Sequence, residues 1–341
     1  MHFLNKKATL IKPEKIELVE EVIENLPTDS VIVKVAYCGI CGSDMPRFFE
    51  GRVHFYPIVL GHEFSGTVVA VGDDVDTLNI GDKVSGVPLV PCFKCDNCIA
   101  GNFQLCRKYS FIGSRSEGAL QRYLVIKPEN LYKLNEEVDL KKAAFIEPIT
   151  VAVHALKTIE ARLNKMSRIA IYGFGVIGYC VLAYLHMQGY KNLHIINRSK
   201  KNLDLAEKLG AKVNPIANLK EQRYKFDAVI DCSPSSDMES LLSIVNSKGS
   251  LLIVGSKVRD VAISAQTFNL IQRNEMIVTG SWMSYSEPWP GDEWTIANQI
   301  LNNNTYKFVD LVSGTFGIEE VEAAFAAVRK NGPKILIKLN D

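Results

Sequence analysis

Residues 169–185, IAIYGFGVIGYCVLAYL, run an apolar stretch into Gly173, Gly175 and Gly178 and continue with apolar positions at helical spacing. Strand, then G-x-G-x-x-G, then helix constrains the fold more than any other part of this chain. It is the turn by which a parallel strand hands over to a helix whose N-terminus cradles a pyrophosphate. Gly173 allows the tight turn, Gly175 lets the backbone approach a ligand, and Gly178 lets helix and strand touch. Val176 and Ile177 complete the turn, where unpaired N–H groups and the positive end of the helix dipole suit phosphate. The pattern then repeats. LHIINR, AKVNP, FDAVIDC, SLLIVGS and MIVTGS read as apolar strands, separated by helical stretches such as KKNLDLAEKLG and SDMESLLSIVNSKG. Such alternation predicts an α/β, doubly wound parallel sheet covered on both faces. Val254, in SLLIVGS, joins the expected cofactor-binding residues.

Which dinucleotide is decided about 20 residues past the glycines, where an acidic residue would bond the ribose 2′-hydroxyl of NAD. Asn197-Arg198-Ser199-Lys200-Lys201 stands there instead. A carboxylate would repel a 2′-phosphate, whereas a neutral Asn197 followed by the Arg198 fork accepts one. NADP(H) is therefore expected ahead of NAD(H). The other reading makes Asn197 a partner of plain ribose, and Arg198 with the lysines a solvated face.

The first half has a different texture. VIVKVAY (31–37), EFSGTVVAVG (63–72) and GDKVSGV (81–87) read as strands and turns. At 341 residues the chain is long enough for two domains. Its net charge of +1 offers no field for nucleic acid or anionic membrane, and no apolar run approaches a membrane span. The opening MHFLNKKATLIKPEKIELVEE turns charged too early for a signal peptide. A cytoplasmic protein is expected.

In a reducing compartment the eight cysteines are not expected to pair. Cys92, Cys95, Cys98 and Cys106 form C-x2-C-x2-C-x7-C, with Gly101 and Asn102 in the long gap. Four thiolates so spaced suit a closed tetrahedral zinc site. Ferredoxin clusters share the first three positions, but their next cysteine comes sooner and precedes proline, and here Cys106 precedes Arg107. Cys180 and Cys232 read as small buried thiols. Upstream, Cys41-Gly42-Ser43-Asp44 follows a strand, Gly61-His62-Glu63 precedes another, and Glu147 lies just before a helical pattern. Cys, His and Glu are sensible zinc ligands, and three of them leave a position open for substrate. Taken singly, each has a bland reading as a buried thiol, a core histidine or a helix N-terminal charge.

CGICGSD, GHEFSGTVVAVG, GDKV, the four-cysteine lobe, EPITVAVHAL and GFGVIG occur here in an order that resembles the medium-chain, zinc-dependent alcohol and polyol dehydrogenase family. The resemblance spans essentially the whole chain. It implies a GroES-like β-rich catalytic domain at 1–149 with a zinc lobe at 88–110, a Rossmann domain at 150–286, and a return to the catalytic domain at 287–341. It also implies two zinc ions per chain, with Cys41, His62 and Glu147 holding the catalytic one and Glu63 beside them or as an alternate ligand. SGVPLVPCFKC, FIGSR (111–115) and GSWMSYSEPWPGDEW (280–294) further resemble the branch acting on polyol phosphates, with galactitol 1-phosphate and tagatose 6-phosphate as the expected pair. That branch carries an Asp where Asn197 stands. Ser43 is expected to relay the proton, and Arg115, then Arg47, to hold the substrate phosphate. Competing expectations are a pentitol-phosphate enzyme, a sorbitol-type enzyme indifferent to phosphate, and a non-catalytic zinc-binding or redox-sensing protein. A homodimer or homotetramer with no nucleic-acid or membrane partner is implied.

Overall fold

The computed structural model describes residues 2–198, 200–215 and 225–340, without the side chains of 200–202, 214, 215 and 331. Two compact units result: Met1–Glu147 with Tyr285–Asp341, and Pro148–Ser284. Both junctions fall two residues before the boundaries expected at 149 and 286.

The first unit is built on a seven-stranded sheet. Its strands lie in the order Leu131–Lys133, Lys83–Gly86, Glu63–Val71, Val31–Gly39, Lys334–Lys338, Val312–Gly317, with Tyr123–Ile126 also pairing with Val31–Gly39. Val31, Val33 and Val35 alternate inward with no exposure, as the period-2 pattern requires. The last 30 residues complete the core. Helix Val321–Asn331 crosses between two parallel strands, and its Phe325 stacks on Phe48 with centroids 4.2 Å apart. Lys334–Lys338 then pairs antiparallel with Val31–Gly39, setting Leu336 opposite Gly39 and Ile337 opposite Cys38.

An N-terminal hairpin, Phe3–Lys12 with Lys15–Ile23, was not anticipated from the sequence. Its apolar alternation is obscured by charges that face one another across the strands, Lys6 with Glu20 and Lys7 with Glu21. Only Ala8, Leu10 and Ile16 of this hairpin turn a fully apolar face to the core.

The second unit carries a six-stranded parallel sheet in the order Lys212–Pro215, Leu193–Asn197, Ile169–Tyr172, Phe226–Asp231, Val245–Ile253, Ile277–Gly280. This is the strand order of a dinucleotide fold, with the topological switch between Ile169–Tyr172 and Phe226–Asp231. Helix Val176–Met187 follows the glycine turn and buries every side chain from Tyr179 to Leu185. One expectation needs correction: the stretch read as helical through residue 249 is helix only at Met238–Ser243, and strand begins at Val245. β-branched Ile244 and Val245 end the helix. The Asn246 amide then bonds the Asp227 carboxylate at 2.7 Å, and Lys248 turns at φ 60°. No helix among the described residues is long and apolar enough to cross a membrane.

His194 is buried in this sheet, with Nε2 3.1 Å from Asn192 Oδ1 and its ring against Phe226. Burial lowers its pKa to about 4, helped by the positive charges of Lys212 and Arg168. Between about pH 6.5 and 4 the unfolded chain therefore binds the extra proton, so stability is present above that window and is lost as pH falls through it. Urea midpoints measured at pH 7 and pH 4.5 should show this drop, and His194→Gln should shrink it.

Candidate metal and dinucleotide sites

Cys41, His62 and Glu63 each place a ligand atom within 4.8 Å of the other two. Cys41 stands where the strand Val31–Gly39 gives way to helix Asp44–Glu50. Its N–H donates to Asp44 Oδ2 at 3.1 Å while the Asp44 N–H donates back to the Cys41 carbonyl. His62 follows Gly61, whose positive φ of 95° and close neighbours Cys38 and Leu120 admit no side chain. His62 Nδ1 is buried without a hydrogen-bond partner, 3.6 Å from Asp44 Oδ1. Glu63 is buried and pairs with the buried Lys334 ammonium. A Cβ at Gly39 would lie 2.5 Å from Glu63 Oε2 and 2.7 Å from Lys334 Cε, so glycine is required where this pair passes the strand.

Glu147 lies in the first turn of helix Ile146–Lys157 and is buried. It stands outside the three-residue cluster but is coupled to it. Burial, with Glu63 and Asp44, pushes its pKa up to about 7, against His62 and Lys334. Burial first, then Glu63, Asp44 and Glu147, likewise pushes the Cys41 thiol up. The charges explain both shifts. Asp44 and Glu63 are matched by Arg47 and Lys334, so only when Cys41 and Glu147 give up their protons are two negative charges left uncompensated. Charge buried without a partner is costly. A divalent cation balances the set, and the N, S and O donors suit zinc.

The four-cysteine lobe fits a metal on distance alone. Sγ atoms of Cys92 and Cys98 lie 4.0 Å apart, Cys95 and Cys98 3.6 Å, and Cys95 and Cys106 3.9 Å. A tetrahedron with Zn–S of ~2.3 Å has S···S edges of about 3.8 Å, whereas a disulfide needs about 2.05 Å. Backbone N–H groups of Lys94 and Arg107 lower the Cys92 and Cys95 thiols, the latter to about 6, and burial raises Cys98 to about 12. The lobe is fastened by a residue that sequence reasoning did not single out. The Trp289 ring contacts Phe93 and Phe103, both from within the lobe, and stacks on Tyr285, with centroids 5.2–5.3 Å away. Its Nε1–H donates to the Glu129 carbonyl at 2.8 Å. The signal lay in GSWMSYSEPWPGDEW, whose aromatic density has no use on a free surface.

In the second unit Gly173 has φ 87°, a Cβ at Gly178 would lie 2.2 Å from the Gly173 carbonyl oxygen, and a Cβ at Gly175 would meet nothing within 4 Å. The first is thus a turn glycine, the third a packing glycine, and the second opens onto free space at the N-terminus of helix Val176–Met187. Asn197 Oδ1 accepts from the Phe174 N–H at 3.2 Å, which joins the end of the second strand to the glycine turn. Arg198 is exposed, Ser199 lies outside the described residues, and so do the Lys200 and Lys201 side chains. The Val254 N–H donates to the Asp231 carbonyl at 2.9 Å.

Arg47 and Arg115 part ways. Arg47 Nη1 donates to Asp44 Oδ1 at 2.9 Å and to Ser43 Oγ at 3.1 Å, which ties it to the cluster. Arg115 is exposed and lies over the Tyr109 ring, 4.3 Å from its centroid. Stripping metal with a chelator, or Cys95→Ser, should red-shift tryptophan emission as Trp289 loses its lobe contacts. Trp289→Phe should abolish most of that shift, leaving buried Trp294 and exposed Trp282 as background.

The family described as Alcohol dehydrogenase GroES-like domain matches residues 27–136, and that described as Zinc-binding dehydrogenase matches 176–299. The chain is 36% identical to galactitol 1-phosphate 5-dehydrogenase of Escherichia coli over 93% of its own length and 94% of that protein. It is 29% identical to D-arabitol-phosphate dehydrogenase of Enterococcus avium, covering 96% and 95% of the two chains. Its fold superposes on the crystal structure of the Escherichia coli galactitol-1-phosphate dehydrogenase with a TM-score of 0.89 and 34% identity, over 98% of this chain and 99% of that one. Bound into one chain with a dinucleotide fold and two metal-ready clusters, these likenesses show that the protein belongs to the zinc-dependent medium-chain alcohol and polyol dehydrogenases.

Proposed function

We propose that this dehydrogenase interconverts galactitol 1-phosphate and tagatose 6-phosphate, using NADP(H) ahead of NAD(H). The observation that carries the phosphate is Arg47, a guanidinium bonded to Ser43 Oγ and to Asp44, whose carboxylate accepts from the Cys41 N–H, with donors left over for an anion. Arg115 is the second candidate. A pentitol phosphate is the competing substrate, favoured by the likeness to D-arabitol-phosphate dehydrogenase.

Cys41, His62 and Glu63 are the catalytic zinc donors in this reading, with Glu147 beside them, and the four lobe cysteines hold a second zinc. Bound zinc supplies a Lewis acid for the reacting oxygen, and the nicotinamide supplies or accepts the hydride. The chain's own residues do the rest. Asp44 Oδ1 faces His62 Nδ1 across 3.6 Å and keeps a negative charge on that side of the ring. Arg47 donates to Ser43 Oγ, so the exposed hydroxyl keeps its own proton free to exchange while its second lone pair takes the proton of the alcohol. Asn197 brings no carboxylate to repel a 2′-phosphate and ties the second strand's end to the glycine turn through the Phe174 N–H, with exposed Arg198 beside it as the phosphate's donor. The exposed edge strand Ile277–Gly280, with Ile277 and Val278 partly bare, suits pairing with a second copy.

Initial rates with tagatose 6-phosphate, tagatose and pentulose 5-phosphates, each with NADPH and NADH, test the assignment. The expected result is a strong preference for tagatose 6-phosphate with NADPH; equal rates on tagatose would remove the phosphate site. Arg198→Ala should raise KM for NADPH and leave that for NADH unchanged. Metal analysis separates the two glutamates: Glu63→Gln should lose one zinc per chain, whereas Glu147→Gln should keep it while kcat falls on the order of 100-fold.

A further inference from the structure

The carboxyl ends of Phe226–Asp231 and Val245–Ile253 carry a polar cluster that neither metal site nor the glycine turn uses. Asp231 is fully buried. Lys257 Nζ forms an ion pair with Asp231 Oδ2, donates to the Ser233 carbonyl at 2.8 Å and donates to Ser236 Oγ at 2.6 Å. Ser236 Oγ in turn donates to Asp231 Oδ2 at 2.6 Å, and the Ser233 N–H donates to Asp231 Oδ1 at 3.1 Å. An ammonium has three donors, and all three are spent. Lys257 is therefore not a cation held out for a ligand.

What it holds is two turns at once. Residues 232–236 follow one strand and residues 254–258 follow the next. The N–H groups of Val254 and Gly255 both donate to the Asp231 carbonyl at 2.9 Å. A Cβ at Gly255 would lie 2.7 Å from the Ser233 carbonyl oxygen, and a Cβ at Gly173 would lie 3.1 Å from Ser233 Cβ. Ser233 thus stands between the glycine turn and the 254–258 turn. In this strand order a dinucleotide lies across the carboxyl ends of the strands, one half on each side of the switch point. Asn197 marks the adenosine side, so the turns joined by Lys257 lie under the nicotinamide half.

We infer that Lys257 is a positioning residue for the nicotinamide half of the cofactor: through Asp231, Ser233 and Ser236 it fixes the two turns on which that half rests. The inference depends on the dinucleotide reading of the glycine turn. Unpairing a buried ion pair leaves a charge that the surroundings must move to solvate, so the turns should loosen when Lys257 is removed. The adenosine side, on strands across the switch point, should not.

The test is binding to the full-length protein of two probes, NADPH by its fluorescence and 2′,5′-ADP, which fills the adenosine side alone. Lys257→Met should weaken NADPH on the order of tenfold or more, with 2′,5′-ADP unchanged within about twofold. Amide hydrogen exchange without ligand should quicken in 232–236 and 254–258. Ser236→Ala removes the two bonds of that hydroxyl, to Asp231 and from Lys257, without unpairing the charge; it should move NADPH the same way by about threefold, and it decides the matter where Lys257→Met does not fold. Equal weakening of both probes, or of neither, overturns the positioning role. Wild-type protein that binds neither probe and no NADH overturns the dinucleotide reading itself; binding of NADH alone puts the same comparison on NADH and 5′-AMP.

Discussion

One buried ion pair braces the Cys41–His62–Glu63 cluster, and its partners come from distant parts of the chain: Glu63 and Lys334 are 271 positions apart. Two charges removed from water are tolerated only when each meets the other in good geometry. That geometry requires the strand Lys334–Lys338 to lie against Val31–Gly39 and requires Gly39 to leave room between them. The helix Val321–Asn331 and the Phe48–Phe325 stack secure the strand. Without this closure Glu63 would lose its partner, and the donor set around Cys41 would lose its shape. The C-terminal residues are part of the site although they contribute no donor to it.

The same electrostatics explains why the site suits a cation. Cys41 and Glu147 are pushed toward their protonated forms by burial and by the neighbouring carboxylates, and only a cation offsets the charge they would carry where water cannot screen it. In the lobe the demand is met differently: backbone N–H groups and mutual spacing prepare the thiolates, and an aromatic residue from beyond the second unit keeps the loop in place. One site depends on charge balance, the other on shape. Trp289 also accounts for part of the stretch at 280–294: its ring meets Phe93 and Phe103 of the lobe and stacks on Tyr285.

Most of the architecture was legible because the chain's strongest signals are local. Strand–glycine–helix at 169–187 carries its turn, its packing and its open edge in adjacent residues, and the four cysteines carry their tetrahedron in their spacing. What was not legible is long-range. The helix ending at Ser243 gives way to strand because Asn246 bonds to Asp227 on a neighbouring strand, which no window over 236–249 contains. The N-terminal hairpin hides behind cross-strand charge pairs. Glu63 was expected beside the metal donors or as an alternate ligand, with Glu147 among them; that the Glu63 carboxylate lies within 4.8 Å of the Cys41 and His62 donors is a matter of side-chain direction that spacing does not encode.

The position of Lys334–Lys338 inside its sheet, between Val31–Gly39 and the edge strand Val312–Gly317, has a consequence for biosynthesis. Translation delivers Val31–Gly39 early and this neighbour only when residues 334–338 are made, with the whole dinucleotide unit in between. A nascent chain therefore carries an open seam beside Cys41 and His62 and cannot yet offer the finished pocket to any ion. The centre at Cys41 and His62 thus takes its final shape only once residues 334–338 are in place, whereas the four lobe cysteines all lie within 92–106.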